Sequence, residues 1–582
     1  MKIALVQFQS SLASPIKNAQ RHLSFINQAQ EKNADLVVFP ELSLFSYPVY
    51  DLPENKKIIE EQKLALNFLS QNLPSDISVL VGGLSLNKEQ GKNFFNSAFL
   101  LSKEEETKII SKKLIPSYDI FDEYRHIEPA KQSNCNSEFS IKSTNFLLHI
   151  CEDSWFGLDS FYKKSLHSVS SDFVMTKKNI DYVINMSASP FFQGKERSRL
   201  NMAKNVTSVF GAHLLYVNAV GASDEMIFDG RSFVYEGRKK KILLQSPSFK
   251  ENLLMLDTKL VQKQDEGNGE NKNTSAKPED NKTNEGSHLD IIRKALCFGL
   301  SEFVKQSGFK KIHLGLSGGV DSAVVACLAV EALGKDNVKA FSLPSAFSSP
   351  LSFNLALEQT KLLNITLKNI SIESMFQNCK ENINTELKIS DFSVIHENLQ
   401  ARLRSIILMA YSQKEKSLLL NTSNKSEIAT GYSTLYGDLS GALCPIGDLL
   451  KTEVYALAEH YCKKNQLPKA VIQRPPTAEL RKDQLDQDSL PKYEVLDFVI
   501  LKALNIGSSF VLNEKLNQTF QDYVKSNYSK KELELAEEFC YKKMFQSEFK
   551  RFQSPPILKV SEKSFGQGRK MPIANHHLYS KN

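Results

Sequence analysis

A chain of 582 residues is longer than one hydrophobic core supports, because single cores stop growing near about 250–300 residues, so two domains are expected. With 41% hydrophobic and 24% charged residues the composition excludes a fibrous or wholly disordered chain. The formal charge of +7 is a mild bias, and Lys alternates with Glu instead of forming basic blocks. Nucleic acid is therefore not demanded, whereas anionic small molecules would suit.

The opening MKIALVQFQSSL is a short apolar run broken by Gln, without the longer apolar segment and cleavage site of a signal peptide. No run reaches the roughly 18 apolar residues of a membrane span. The eight cysteines, among them Cys135, Cys151, Cys297 and Cys444, form no CxxC pair, which points to reduced thiols and a cytoplasmic chain. The runs KIALVQF, DLVVFPE, SVLVGGL, NFLLHICED and YVINMSAS alternate with amphipathic stretches such as Asn18 to Lys32. That alternation predicts a layered α/β domain over residues 1–261. Residues 262–287, QKQDEGNGENKNTSAKPEDNKTNEGS, hold no large apolar residue, cannot offset their ordering entropy by burial, and read as a flexible linker. In residues 288–582, KKIHLGLSGGVDSAVVACLAVEAL predicts strand, glycine turn and helix, and KAFSLPS and SLLLNTS predict further strands of one parallel sheet. The stretch from Asn364 to Val394 is weakly patterned.

The turn Gly315-Leu316-Ser317-Gly318-Gly319-Val320-Asp321-Ser322 leaves a strand and opens a helix, where amides and the helix dipole converge on an anion. No Lys follows the second glycine, so it is not GxxxxGK[ST], nor is it GxGxxG. It resembles the SGGxDS loop of the ATP pyrophosphatase families, which implies binding of ATP and transfer of AMP to an acceptor. Such chemistry needs a divalent cation held by carboxylates, and Asp321 is one candidate. Glu427, in Asn421-Thr422-Ser423-Asn424-Lys425-Ser426-Glu427 at the end of an apolar run, is the other. In Glu397-Asn398-Leu399-Gln400-Ala401-Arg402-Leu403-Arg404, helical spacing puts Asn398 and Arg402 on one face, able to hold a carboxylate or phosphate.

Three pieces of the first half fit a thiol amidase, which releases ammonia from an amide. Phe39-Pro40-Glu41, Lys112 before Leu114-Ile115-Pro116, and Ile150-Cys151-Glu152-Asp153 each sit at or past an apolar run. Cys supplies a nucleophile once a cation lowers its pKa, Glu moves protons, and Lys stabilises thiolate and oxyanion.

The order Glu, Lys, Cys with these flanks resembles the nitrilase superfamily, and specifically the glutaminase domain of glutamine-dependent NAD synthetases. The segments TSNKSE, ENLQAR, GYSTLYGDLSGALCPIGDLLKTEVY and PTAELRKDQLDQDSLPKY resemble the synthetase half of the same family, in the family's order. The resemblance implies a nitrilase-like α-β-β-α domain and a Rossmann-like ATP pyrophosphatase domain that together amidate deamido-NAD through an adenylate. It implies glutamine contacts at Tyr118, Ser189 and Lys195, a supporting role for Glu123, and Lys112 instead of Lys113 once Ile115-Pro116 is aligned. It further implies ATP contacts at Gly315 to Ser322 and Thr422, deamido-NAD contacts at Asn398, Glu427 and Lys550, and Mg²⁺ at Asp321 and Glu427. An enclosed ammonia route follows from the same likeness; because paired sites and a channel usually require subunit contacts, a homo-oligomer is expected, and the lack of a long apolar run predicts no membrane partner. Phe347-Ser348-Ser349-Pro350-Leu351-Ser352-Phe353-Asn354-Leu355 departs from the family's pattern, and no site is assigned there. The alternative reading is a glutamine-fed ATP pyrophosphatase that amidates another carboxylate or nucleotide.

Overall fold

A computed structural model describes residues 1–131, 137–156, 179–259, 287–504 and 520–574. The chain divides into two compact units, Met1–Ser223 with Ile227–Asn284, and Asp224–Met226 with Glu285–Asn582.

The first unit holds two six-stranded sheets. One runs Asn252–Asp257, Lys2–Gln7, Leu36–Val38, Ser78–Leu86, Phe94–Leu101, Lys108–Ser111. Lys2–Gln7, Leu36–Val38 and Ser78–Leu86 are mutually parallel, and the remaining pairings are antiparallel. The other runs Lys241–Gln245, Phe233–Glu236, His213–Asn218, Tyr182–Ser187, Thr144–Ile150, Glu138–Ile141. Ile3, Leu5, Leu36, Val38 and Leu80 of the first sheet share one core with Phe146, Leu148, Ile184, Leu215 and Val217 of the second, so the sheets pack face to face. Met202, Ala203 and Val206 of the helix Lys195–Phe210 pack on the outer side of the second sheet, against Leu147, Val183 and Tyr216. The inner strands are near-continuous apolar runs, buried on both faces, as a sheet covered on both sides requires. The expected α-β-β-α layering is present, and the amphipathic stretch from Asn18 forms the helix Pro15–Glu31.

The second unit is built on a four-stranded parallel sheet, Thr366–Asn369, Val338–Ser342, Lys311–Gly315, Ser417–Leu419. The helix Val320–Leu333 is apolar nearly all round and is accordingly buried. Ser287 caps the helix His288–Gln306 reciprocally with Asp290, so this last residue of the expected linker begins the next element. Residues 262–286 lie outside the described residues. The weakly patterned stretch after Asn364 contains the strand Thr366–Asn369 and the helix Glu373–Leu387, whose buried residue is Phe376 alone. So narrow a buried face leaves almost no periodic signal in the sequence. No helix among the described residues is long and apolar enough to cross a membrane.

Buried acids give this unit a pH dependence. Burial pushes Glu453 up to about 7 and Asp497 up to about 6. Both carboxyls hold protons in the folded chain that the unfolded chain has released, so stability is full below the ordinary carboxyl range and falls as pH rises through about 6–7. His313, lowered to about 4 by burial, acts oppositely and costs stability as pH falls below its ordinary value. The contribution of these carboxyls to the thermal midpoint is expected to decline between about pH 4 and pH 7, and Glu453→Gln to remove about 1–3 kcal/mol of that pH dependence. A calorimetric midpoint flat over this range in both proteins would contradict the burial argument.

Candidate active sites

In the first unit the strand ends converge. Glu41 lies just past Leu36–Val38, Lys112 directly follows Lys108–Ser111, and Cys151 directly follows Thr144–Ile150. Lys112 is fully buried, and its ammonium lies 2.7 Å from Glu41 Oε1 and 2.8 and 2.9 Å from the two oxygens of Glu123. Burial opposes its charge, but the carboxylates of Glu123 and Glu41 outweigh it and hold the amine protonated. Asn96 donates to Glu41 Oε1 at 2.8 Å and Glu123 Oε2 at 3.3 Å, and Tyr47 donates to Glu123 at 3.0 Å. The amide of Ala188 donates to Glu41 Oε2 at 2.8 Å. Lys113 stays outside this cluster, its backbone amide donating to Asp153.

Cys151 is buried at φ +46° in the first position of a short helical turn. The sequence reading expects a neighbouring cation to lower its pKa. Instead the thiol is pushed well above its ordinary value, because burial and the charge of Glu41 outweigh Lys112. A thiol held in this setting favours its neutral form, so any attack by it calls for a base to take its proton. A void of about 10 Å³ touches Glu41 beside Tyr47 and Phe228, room for about one water.

Tyr118 donates to both oxygens of Glu152, at 3.2 and 3.0 Å, next to Cys151. Lys195 stands 4.4 Å over the ring of Trp155 and 4.9 Å over Phe192. Burial, then the charge of Arg199, lower it to about 8. Ser189 is buried, its amide donating to Asn218 Oδ1 and its carbonyl accepting from Arg199, which forms a two-bond pair with Asp229 at 2.8 Å. Asn96 and Glu152 were missed by sequence reasoning. A lone Asn within the apolar run FFNSAFLL and an acid beside the nucleophile are the signals that could have found them.

In the second unit the glycine turn follows the strand Lys311–Gly315 and opens the helix at Val320. Gly318 adopts φ +79°, and a Cβ there would lie 2.5 Å from the carbonyl oxygen of Ser352, so no other residue fits. The turn lines two cavities. The larger, about 390 Å³, is walled by Leu316, Phe341, Leu343, Phe353, Leu408 and Leu419, among others. The smaller, about 210 Å³, runs along Gly319 to Ser322. Ser317, Thr422 and Asp438 belong to both walls. Ser348, Ser349, Pro350, Ser352 and Phe353 also line the larger cavity, so the departing segment left unassigned from sequence forms part of this site.

The residues of the NKSE turn diverge. Asn424 donates to Asp321 Oδ1 at 2.9 Å, the buried ammonium of Lys425 meets Asp448 at 3.0 Å, Ser426 binds Asp497, and Glu427 meets Lys451 at 3.4 Å. Lys451 also lies 2.6 Å from Asp321 and so bridges the two acids; it falls within GYSTLYGDLSGALCPIGDLLKTEVY, but sequence reasoning gave it no role. Burial, then the charge of Asp321, push Glu427 up to about 8, so it is buried enough to feel its neighbours and is no solvent-facing acid. Among the described residues that line the smaller cavity, Asp321, Glu427, Asp438, Glu479 and Asp486 outnumber Lys451 and Arg474, an acidic surplus that suits a hard cation. Asn398 accepts from Thr434 at 2.7 Å and Arg402 donates to the Leu435 carbonyl at 3.2 Å, so both sit against GYSTLYGD. Lys550 donates to the carbonyls of Gly431 and Ser433 at 2.9 and 2.7 Å, and its ammonium is engaged with that same segment.

The carbon-nitrogen hydrolase family model matches residues 2–262 and the NAD synthase family model residues 292–537. The chain is 36% identical to the glutamine-dependent NAD(+) synthetase of Synechocystis sp. over 98% of both chains. It is 32% identical to that of Acinetobacter baylyi, covering 99% of this chain and 98% of the relative. It also resembles the solved glutamine-dependent NAD+ synthetase of Acinetobacter baumannii in complex with ADP, with 29% identity, TM-score 0.70 and 98% of both chains covered. Two family matches that between them take in both units, and curated relatives matched almost end to end, place this chain in the family of glutamine-dependent NAD(+) synthetases.

Proposed function

We propose that the chain amidates deamido-NAD to NAD with ATP and glutamine, through an adenylated intermediate, releasing AMP, pyrophosphate and glutamate. Residues 1–261 serve as the glutaminase domain, 288–582 as the synthetase domain, and 262–287 join them. The observation that supports this best is the glycine turn forming a common wall of an apolar cavity and a charged one, as a base and a polyphosphate on one nucleotide require.

In the glutaminase domain, Glu41 takes the proton of the Cys151 thiol as its sulfur attacks the amide carbon of glutamine. Lys112, kept charged by the two glutamates, stabilises the oxyanion. Glu41 then returns the proton to the departing ammonia and later takes one from the water that opens the thioester. Tyr118, Ser189 and Lys195 hold the amino-acid end of glutamine. In the synthetase domain, Gly315 to Ser322 and Thr422 hold ATP, while Asn398, Glu427 and Lys550 hold deamido-NAD. The nicotinate carboxylate attacks the α-phosphorus, pyrophosphate leaves, and ammonia displaces AMP. Asp321 and Glu427 would hold Mg²⁺, which when bound neutralises triphosphate charge that the acidic cavity would otherwise repel.

We place the chain in the cytoplasm as a homo-oligomer. Seven free cysteines among the described residues support a reducing compartment, and exposed Ile406, Met409 and Tyr436 support self-association. The test supplies the purified chain with deamido-NAD, ATP and Mg²⁺ together with either glutamine or ammonium. NAD and AMP appearing in equal amounts from both nitrogen sources is the expected result. AMP formed only when another carboxylate replaces deamido-NAD would assign a different acceptor.

A further inference from the structure

The segment Arg474 to Leu480 bounds both cavities of the second unit, since Thr477, Ala478, Glu479 and Leu480 line the larger one and Arg474 to Glu479 the smaller. It is irregular backbone, and Glu479 within it adopts φ +49°, a strained setting for a residue with a side chain. Strain of this kind persists only where the surroundings hold it; the Glu479 amide donates to Thr477 Oγ1 at 3.2 Å and the Leu480 amide to Gln484 Oε1 at 2.9 Å, and the Glu479 carboxylate adds its own contacts. Its Oε1 accepts from the hydroxyl of Ser352 at 2.7 Å and the amide of Ser349 at 3.3 Å, and forms an ion pair with Arg474. Arg474 in turn donates to the Ser352 hydroxyl at 2.7 Å. The backbone of the same Ser352 lies against Gly318, closely enough that no Cβ fits between them. A continuous line therefore runs from the phosphate turn through Ser352 to Glu479 and Arg474. Further along, Gln400 donates to the Leu480 carbonyl at 2.8 Å, so the segment is pinned on both sides of Glu479.

We propose that Glu479 is a positioning residue for nucleotide binding, a latch that fastens the segment Arg474 to Leu480 to the turn Ser349 to Ser352 and so fixes the shared wall of the two cavities against the glycine turn. The inference rests on the reading of these cavities as the ATP site. Glu479 touches no reacting atom in this account. It sets the distance between the walls that a nucleotide must span, and its loss leaves Arg474 without its counter-charge and Ser352 without its acceptor. Both groups are largely shielded from water, with side-chain exposures of 17% for Glu479 and 14% for Arg474, so the pair is screened less than a surface ion pair. The segment Phe347 to Ser352, where the sequence departs from its family's pattern, supplies the partners of this latch.

The experiment uses the full chain, with ATP and Mg²⁺ as the probe. Glu479→Gln keeps the shape and removes the charge. It is expected to raise both the dissociation constant for ATP, by calorimetry, and the KM for ATP in ammonia-driven turnover by about tenfold, with a smaller change in kcat. Ser352→Ala is expected to raise them about threefold, and the double variant to be no worse than Glu479→Gln alone, because both changes open the same latch. A Glu479→Gln protein that melts earlier yet binds ATP as tightly as the unaltered chain would show a merely structural contact and overturn the inference. Multiplying effects in the double variant would do the same. An unaltered chain that binds no ATP would instead remove the functional reading, and this inference with it.

Discussion

Cys151→Ala is expected to abolish NAD formation from glutamine, by at least about a thousandfold, while ammonia-driven formation continues at close to its original rate. The reason lies in where the thiol sits. It is buried beside Glu41 and Lys112 in the first unit, whereas the glycine turn and both nucleotide-sized cavities are in the second. Alanine adopts φ +46° no worse than cysteine does, so the turn that begins at this residue should survive. The assay compares initial rates with the two nitrogen sources. Retained glutamine-driven synthesis would remove Cys151 as the nucleophile, and loss of both activities would mean that the two units do not function separately.

The second large effect is expected on stability as well as activity. Lys112→Met places an apolar chain where an ammonium now separates Glu41 from Glu123, leaving two buried carboxylates with Asn96 between them. Breaking a buried pair by removing one partner costs about 3–5 kcal/mol, since the charge left behind has no counter-ion. Glutamine-driven synthesis should vanish and the first unit should melt earlier. Adding Glu123→Gln removes one orphaned charge, so the double variant is expected to recover a large part of the stability and none of the activity. Recovery is the informative arm, because a cavity effect at residue 112 would not respond to Glu123 at all. A Lys112→Met protein as stable as the original would show that the network contributes nothing to the fold.

Both predictions depend on one feature of the site, that its charges balance only as a set. Sequence reasoning treated Lys112 as a cation acting on Cys151. In the structure Lys112 is saturated by Glu41 and Glu123, and its effect on the thiol is outweighed by burial. The same holds in the second unit, where Asp321 and Glu427 are bridged by Lys451, so binding of a cation there competes with an ammonium already in place.

The order of elements was legible because it rests on local rules. Short apolar runs bounded by polar turns gave the strands, the glycine turn between strand and helix gave the anion-binding corner, and the order of an acid, a lysine and a thiol with their flanks suggested an amidase by resemblance. The sequence by itself thus determined the fold class and the division into two α/β halves. What only the tertiary structure decided are the relations between residues far apart in the chain. Asn96 with Glu41, Lys451 with Asp321, and Glu479 with Ser352 are separated by 55, 130 and 127 positions. No periodicity or spacing encodes such pairs, because hydrogen bonds and ion pairs depend on distances set when sheets and loops close on one another. The state of the Cys151 thiol belongs to the same class, since a pKa is fixed by the burial and charges around a group, and these exist only in the folded chain.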